Sequence, residues 1–273
     1  MPSAWLLWWS ILCAATVMNI AAWGFSAYLL GRRKNYIPAD VYDMRRRLLS
    51  LAAIYVLGCG FRSVLPMVDL TRICLHDTWF SRIVVGRSVA SVAELCFAAQ
   101  WALLLRDAGA GGGLATAMSR AVLPLIVAAE LFSWSAALKT NYLLHAVETS
   151  LWTLTAALVI AGFLSAWPHV DARSRRVIAA AAVCGAGYLV FMTTVDVPMY
   201  LSRWQAQLAA GQEYLSLRDG MREVLQRCVV TREWAAWRDD VPWLSLYFTI
   251  AVWISIALAH VPPVRRTNRR GRP

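Results

Sequence analysis

Seven runs of mostly apolar residues, each about as long as a bilayer-crossing helix, constrain this chain more than any other feature. They lie at about 5–30, 48–67, 83–105, 121–138, 142–167, 177–200 and 243–261. A hydrocarbon core about 30 Å thick takes about 20 apolar residues in a helix. Backbone polar groups find no water there, so a spanning segment must satisfy them itself, as a helix does. The pattern predicts an all-α, polytopic membrane protein, a bundle of about seven transmembrane helices in one domain over 1–264, with 265–273 as a basic tail. Composition agrees, since 59% of the residues are hydrophobic and 16% charged, against about 45–50% and 25% in soluble domains. The first run starts at Trp5 without a basic leader or a small-residue cleavage pattern, and is read as a retained helix rather than a signal peptide.

The net charge of +11 would suggest nucleic acid in a soluble protein. Here the basic residues sit at the ends of apolar runs, which marks topology, and no nucleic-acid partner is expected. Lys and Arg total 16 over 31–47, 106–120, 173–176 and the tail, against 11 over 62–87, 139–142 and 201–242. The bias predicts an outside N-terminus and a cytoplasmic C-terminus in the plasma membrane, the inner membrane of a bacterial cell. Residues 139–141 join the fourth and fifth runs so tightly that those helices should be antiparallel neighbours. Gly109 to Gly113 is a turn between the third and fourth.

The 6–7 loop, 201–242, carries Leu217, Met221, Val224, Leu225 and Cys228 at helical spacing, with Arg218, Arg222, Glu223 and Arg227 between them. This predicts an amphipathic helix that caps the bundle or covers a site. Trp234 and Trp237 suit an aromatic belt. In an outer, oxidising compartment Cys74 and Cys228 are a disulfide candidate.

An ionisable group inside a membrane helix costs several kcal/mol unless paired or wetted. The third run carries Arg87, Ser88, Ser91, Glu94 and Gln100, of which Arg87, Ser91 and Glu94 share a face at about 100° per residue. The fourth carries Glu130, the fifth His145 and Glu148 three apart, and the sixth Asp196, with Pro198 placed to free a carbonyl nearby. Arg62 closes the second run, and His76 and Asp77 precede the third. Folded with the N-terminus outside, these groups would line an outward-facing polar cavity. Glu94, Glu130, His145, Glu148 and Asp196 are the candidate acid–base groups. Arg62, Arg87, Ser91, His76 and Asp77 are the candidate substrate-binding groups, suited to an anion such as a lipid phosphate. His145 and Glu148 could offer two ligands to a divalent metal, though no dense histidine set accompanies them. In the competing reading the same charges only hold helices together.

Some chemistry is excluded. The only lysines are Lys34 and Lys139, so the seventh helix has no Schiff-base lysine for retinal. No Cys-x-x-Cys-His occurs for a c-type haem, and no phosphate-cradling motif for a nucleotide. No Gly-x-Ser-x-Gly turn supports Ser88 or Ser91 as a nucleophile. What remains is a membrane-embedded hydrolase or group transferase acting on a lipid or lipid-linked substrate. A proton-coupled carrier ranks below it, because apart from Gln100 and Asn19 the inner halves of the helices are apolar. A seven-helix receptor or assembly subunit is the third reading.

Overall fold

The computed structural model describes residues 4–109, 113–226 and 228–262. Arg227, the basic tail and the middle of the Gly109 to Gly113 turn lie outside the described residues. Among those described, seven helical segments are long and apolar enough to cross a membrane, so the chain is an all-α, multi-pass protein. In order they are α1 (Ala4–Arg32), α2 (Ala39–Val64), α3 (Ile83–Ala108), α4 (Leu114–Lys139), α5 (Tyr142–Ala166) with a 3-10 turn after it, α6 (Ala172–Phe191) running through a π turn into α7 (Val197–Ala209), and α10 (Val241–Phe248) followed by α11 (Ile250–Leu258). Between α2 and α3, β1 (Met67–Val68) pairs antiparallel with β2 (Ile73–Cys74). Between α7 and α10 lie α8 (Leu217–Gln226), β3 (Val229–Val230), which pairs parallel with β2, and the one-turn α9 (Trp234–Trp237).

The helices overrun the apolar runs for a physical reason. Hydropathy marks the stretch that lipid tolerates, whereas a helix continues wherever residues favour it. α2 therefore starts at Ala39, directly after Pro38, and takes Arg45, Arg46 and Arg47 into its first turns rather than leaving them in a loop. α4 starts at Leu114 and keeps Pro124 inside it. The sixth segment runs unbroken in helical conformation from Ala172 to Ala209, 38 residues, or about 57 Å at 1.5 Å per residue. Residues 201–209 are thus helix rather than loop. The last span is divided at Thr249 (φ −119°, ψ −78°). The break frees the Phe248 carbonyl, and the buried Asn19 amide of α1 donates to it at 2.9 Å, as lipid-embedded backbone requires.

The chain folds as two compact units. Among the described residues the first comprises 4–97, 134–141, 213–226 and 228–260; the second comprises 98–109, 113–133, 142–212 and 261–262. In the first, α1 packs along α2, with α10 and α11 against both. Its core includes Trp8, Leu12, Tyr55, Val56, Trp237, Phe248 and Val252. A smaller apolar cluster of Met67, Cys74, Ile83, Ala137 and Val224 lies beneath the short strands. In the second, α5 packs against α6, the π turn and α7. Gly162 lets α5 approach the Leu105 side chain, and Gly185 lets α6 approach Ile160; a Cβ at either place would be too close.

α8 differs from the arrangement its pattern suggests. Of the apolar set, Val224 is buried and Cys228 half-buried, while Leu217, Met221 and Leu225 are exposed. Gly220 occupies the centre of the seated edge, because only a residue without Cβ fits against the Leu138 carbonyl.

Candidate functional site

In the first unit a line of charges runs from the segment after α2 into α3. The guanidinium of Arg62, at the end of α2, stands 3.9 Å from Asp69. Asp69 also faces Arg87 at 3.6 Å, and Arg87 Nη2 donates to Glu94 Oε2 at 3.0 Å. The Tyr247 hydroxyl, from α10, donates to the other oxygen of Glu94 at 2.9 Å. All four charged side chains are buried. Arg87 and Glu94 are seven apart, two turns along one helix face, so their contact follows from α3 alone. Asp69 comes from the short segment between α2 and α3, and Tyr247 lies 153 residues after Glu94. No spacing in the sequence singles them out, although an acid next to a buried arginine is what charge balance demands.

Ser91, His76 and Asp77 are the remaining candidates of this unit. Ser91 Oγ accepts from the indole of Trp134 at 3.0 Å, and Ser88 donates to the Val84 carbonyl of its own helix. The His76 ring lies 5.1 Å from that of Trp9. Burial, and then the positive charge of Arg232, hold the His76 pKa below the usual imidazole value. Asp77 is exposed and lies outside the line of charges. Arg72, which the sequence does not single out, adopts φ 52°, a left-handed conformation uncommon for a residue with Cβ. Its Nε meets Glu223 at 3.0 Å, and Nη2 donates to the Ala137 carbonyl at 3.0 Å. Cys74 and Cys228 are joined by a disulfide beside the β2–β3 pairing.

The second unit gathers Glu130, His145, Glu148 and Tyr200. His145 and Glu148, three apart on α5, meet at 2.5 Å between Nδ1 and Oε2. Carboxylate oxygens of Glu130 and Glu148 lie within 4.8 Å of each other. Both carboxylates are buried, and so is Asp196. Asp196 ends the π turn Met192–Asp196, where the Val197 N–H reaches back to the Met192 carbonyl. Such turns occur often at functional sites. Pro198 is the second residue of α7, inside the continuous helical segment, where its missing N–H withholds one backbone donor from the preceding turn. One turn after Asp196, Tyr200 presents its ring edge-on to His145 at 4.2 Å. Tyr200 also stacks on Tyr142, and Arg203 stands 5.8 Å from both ring centres. The Gln207 side-chain oxygen accepts from the Tyr142 N–H at 3.2 Å. Tyr200 was not legible as a site residue, because a tyrosine near a membrane boundary reads as part of the aromatic belt.

Two carboxylate oxygens at this separation can share a divalent cation. Glu130 and Glu148 would then be ligands, and His145, in contact with Glu148, would orient one of them.

Searches against known protein families, curated proteins and solved structures return no match for this chain.

Proposed function

We propose that this chain is a membrane-embedded enzyme, a hydrolase or group transferase, that acts on a lipid or lipid-linked substrate. The observation that carries the reading is the 2.5 Å contact of His145 Nδ1 with Glu148 Oε2, with a second buried carboxylate, Glu130, beside it. A carboxylate beside an imidazole stabilises its protonated form, so the pair can accept and pass on a proton. In this scheme His145 takes the proton of an attacking water or alcohol, and Glu148 stabilises the imidazolium formed. Glu130 in its protonated form gives a proton to the leaving group. Tyr200 fixes the plane of the imidazole, and Asp196 supports the same region from the π turn. The setting within apolar helices favours a substrate delivered from the bilayer. A divalent metal held by Glu130 and Glu148, both then deprotonated, would supply Lewis-acid activation in place of the proton from Glu130.

The disulfide supports the orientation. Cys74 follows the second span and Cys228 follows the sixth, so in a seven-span chain both lie on the same side as the N-terminus. A disulfide belongs to an oxidising compartment, which favours an outside N-terminus and a cytoplasmic C-terminus. Arg62 and Arg87, already facing Asp69 and Glu94, then serve the fold as well as any anionic headgroup.

The test is hydrolysis and transfer by the full chain in nanodiscs, measured over a panel of phospholipids, acylated amines and lipid-linked sugars. Glu148→Gln and His145→Asn should each remove turnover of whichever substrate is processed while the disulfide and thermal unfolding stay unchanged. Undiminished turnover in both variants would sink the reading.

A further inference from the structure

Helix α8 has an apolar arc wider than the surface the protein covers. Its inner edge is seated. Gly220 and Val224 are buried, the Gly220 backbone lies against the Leu138 carbonyl, and Glu223 meets Arg72, which also bonds the Ala137 carbonyl. The Leu215 N–H donates to the Lys139 carbonyl at 3.3 Å. Residues 137–139 end the α4 span. These anchors therefore hold α8 at the depth where a membrane-crossing helix leaves the hydrocarbon.

Next to the seated edge, at about 100° per residue, Leu217, Met221 and Leu225 form a row that is 60%, 45% and 47% exposed. Arg218 and Arg222 follow on the far side of that row and are exposed as well. Arg82, one residue before the α3 span, donates to the carbonyls of Leu225 and Gln226 at the end of α8. Trp79 and Phe80, just ahead of it, are 64% and 55% exposed.

We propose that the face formed by Leu217, Met221, Leu225, Trp79 and Phe80 rests in the lipid–water interface of the bilayer that the spans cross, with Arg218 and Arg222 at phospholipid phosphates. Three independent observations converge on this occupant. The anchors fix the depth. The arcs follow the order that an interfacial helix requires, with a seated edge, then an apolar row, then a basic row. The exposed aromatic pair stands where interfacial tryptophans collect. A helix that merely capped the protein toward water would carry polar residues where Leu217, Met221 and Leu225 stand.

The experiment places a benzoyl-phenylalanine photoprobe in the full chain, reconstituted in nanodiscs of phosphatidylcholine and phosphatidylglycerol. The probe sites are Met221, Leu225, the exposed Val17 of the α1 span and the buried Val224. Irradiation should give lipid adducts at 221 and 225 in yields within about threefold of those at 17, as expected for an apolar face sunk in the interface. Position 224 should link within the chain. Adducts at 221 and 225 to a second copy or to the same chain overturn the proposal, and so does the lack of any adduct there while position 17 is labelled. Should the probe block assembly, Leu217→Asp with Met221→Asp leaves the seated edge intact. In that variant the α8 amides should exchange hydrogen at least about tenfold faster in nanodiscs than in the parent; unchanged exchange is the overturning result.

Discussion

The two units hold their buried carboxylates with different partners. In the first, Asp69 and Glu94 face Arg62 and Arg87, whose guanidinium groups keep their protons at any pH a protein survives. In the second, Glu148 faces His145, and an imidazole gains or loses a proton near neutrality. Burial is similar in both, so the difference lies in the cation. A carboxylate held by arginine is a fixed element of structure. One held by histidine can take part in moving a proton. Under the proposed function, the first set would position helices and the second would carry the chemistry.

That contrast can be broken in order of expected effect. The largest change is predicted for Glu148→Gln, which should lower turnover by about 10²–10⁴, the range of positioned acid–base groups, with the unfolding midpoint nearly unchanged. Arg87→Met should do the reverse. It leaves Asp69 and Glu94 without their shared guanidinium and should cost about 3–5 kcal/mol of stability, read by thermal unfolding in detergent. Adding Glu94→Gln to it should restore part of the loss. If Arg87→Met unfolds no earlier than the parent, the line of charges is not what holds the first unit.

Replacing both Cys74 and Cys228 by Ser should cost about 2–4 kcal/mol, and adding reductant to the parent should reproduce that shift. Gly220→Ala should cost about 1–3 kcal/mol, because its Cβ meets backbone rather than a side chain that can turn aside. The smallest effect concerns pH. Folded His76 resists protonation, so between its lowered pKa and the usual value the unfolded chain binds more protons. Its contribution to stability is complete above about pH 6.5 and declines as pH falls through that value. His76→Gln should flatten this slope in a series of unfolding midpoints, and an unaltered slope would assign it to other groups.

Legibility in the sequence was uneven, and particular residues show why. The seven spans were readable because a bilayer imposes one condition, apolar length, that a local window can measure. The contact of His145 with Glu148 was likewise readable, since three residues on a helix bring two side chains to one face whatever surrounds them. Arg87 and Glu94 were visible for the same reason. The extent of α2, α4 and α6 was not, because arginine, alanine and glutamine extend a helix beyond the lipid without raising its hydropathy.

The sequence by itself determined that this chain crosses a membrane on helices and carries charges inside them, because hydropathy and helical periodicity are local properties. Tertiary structure alone decided which carboxylate meets which cation. Asp69 reaches Arg87 from the segment just before α3, while Tyr247 reaches Glu94 and Tyr200 reaches His145 across long stretches of chain. Tertiary packing likewise seated Gly220 rather than Leu217 or Met221 against the protein. The apolar arc of α8 records only that water is unwelcome there, and either lipid or protein satisfies it. The choice between them falls to the shape of the neighbouring backbone at Leu138.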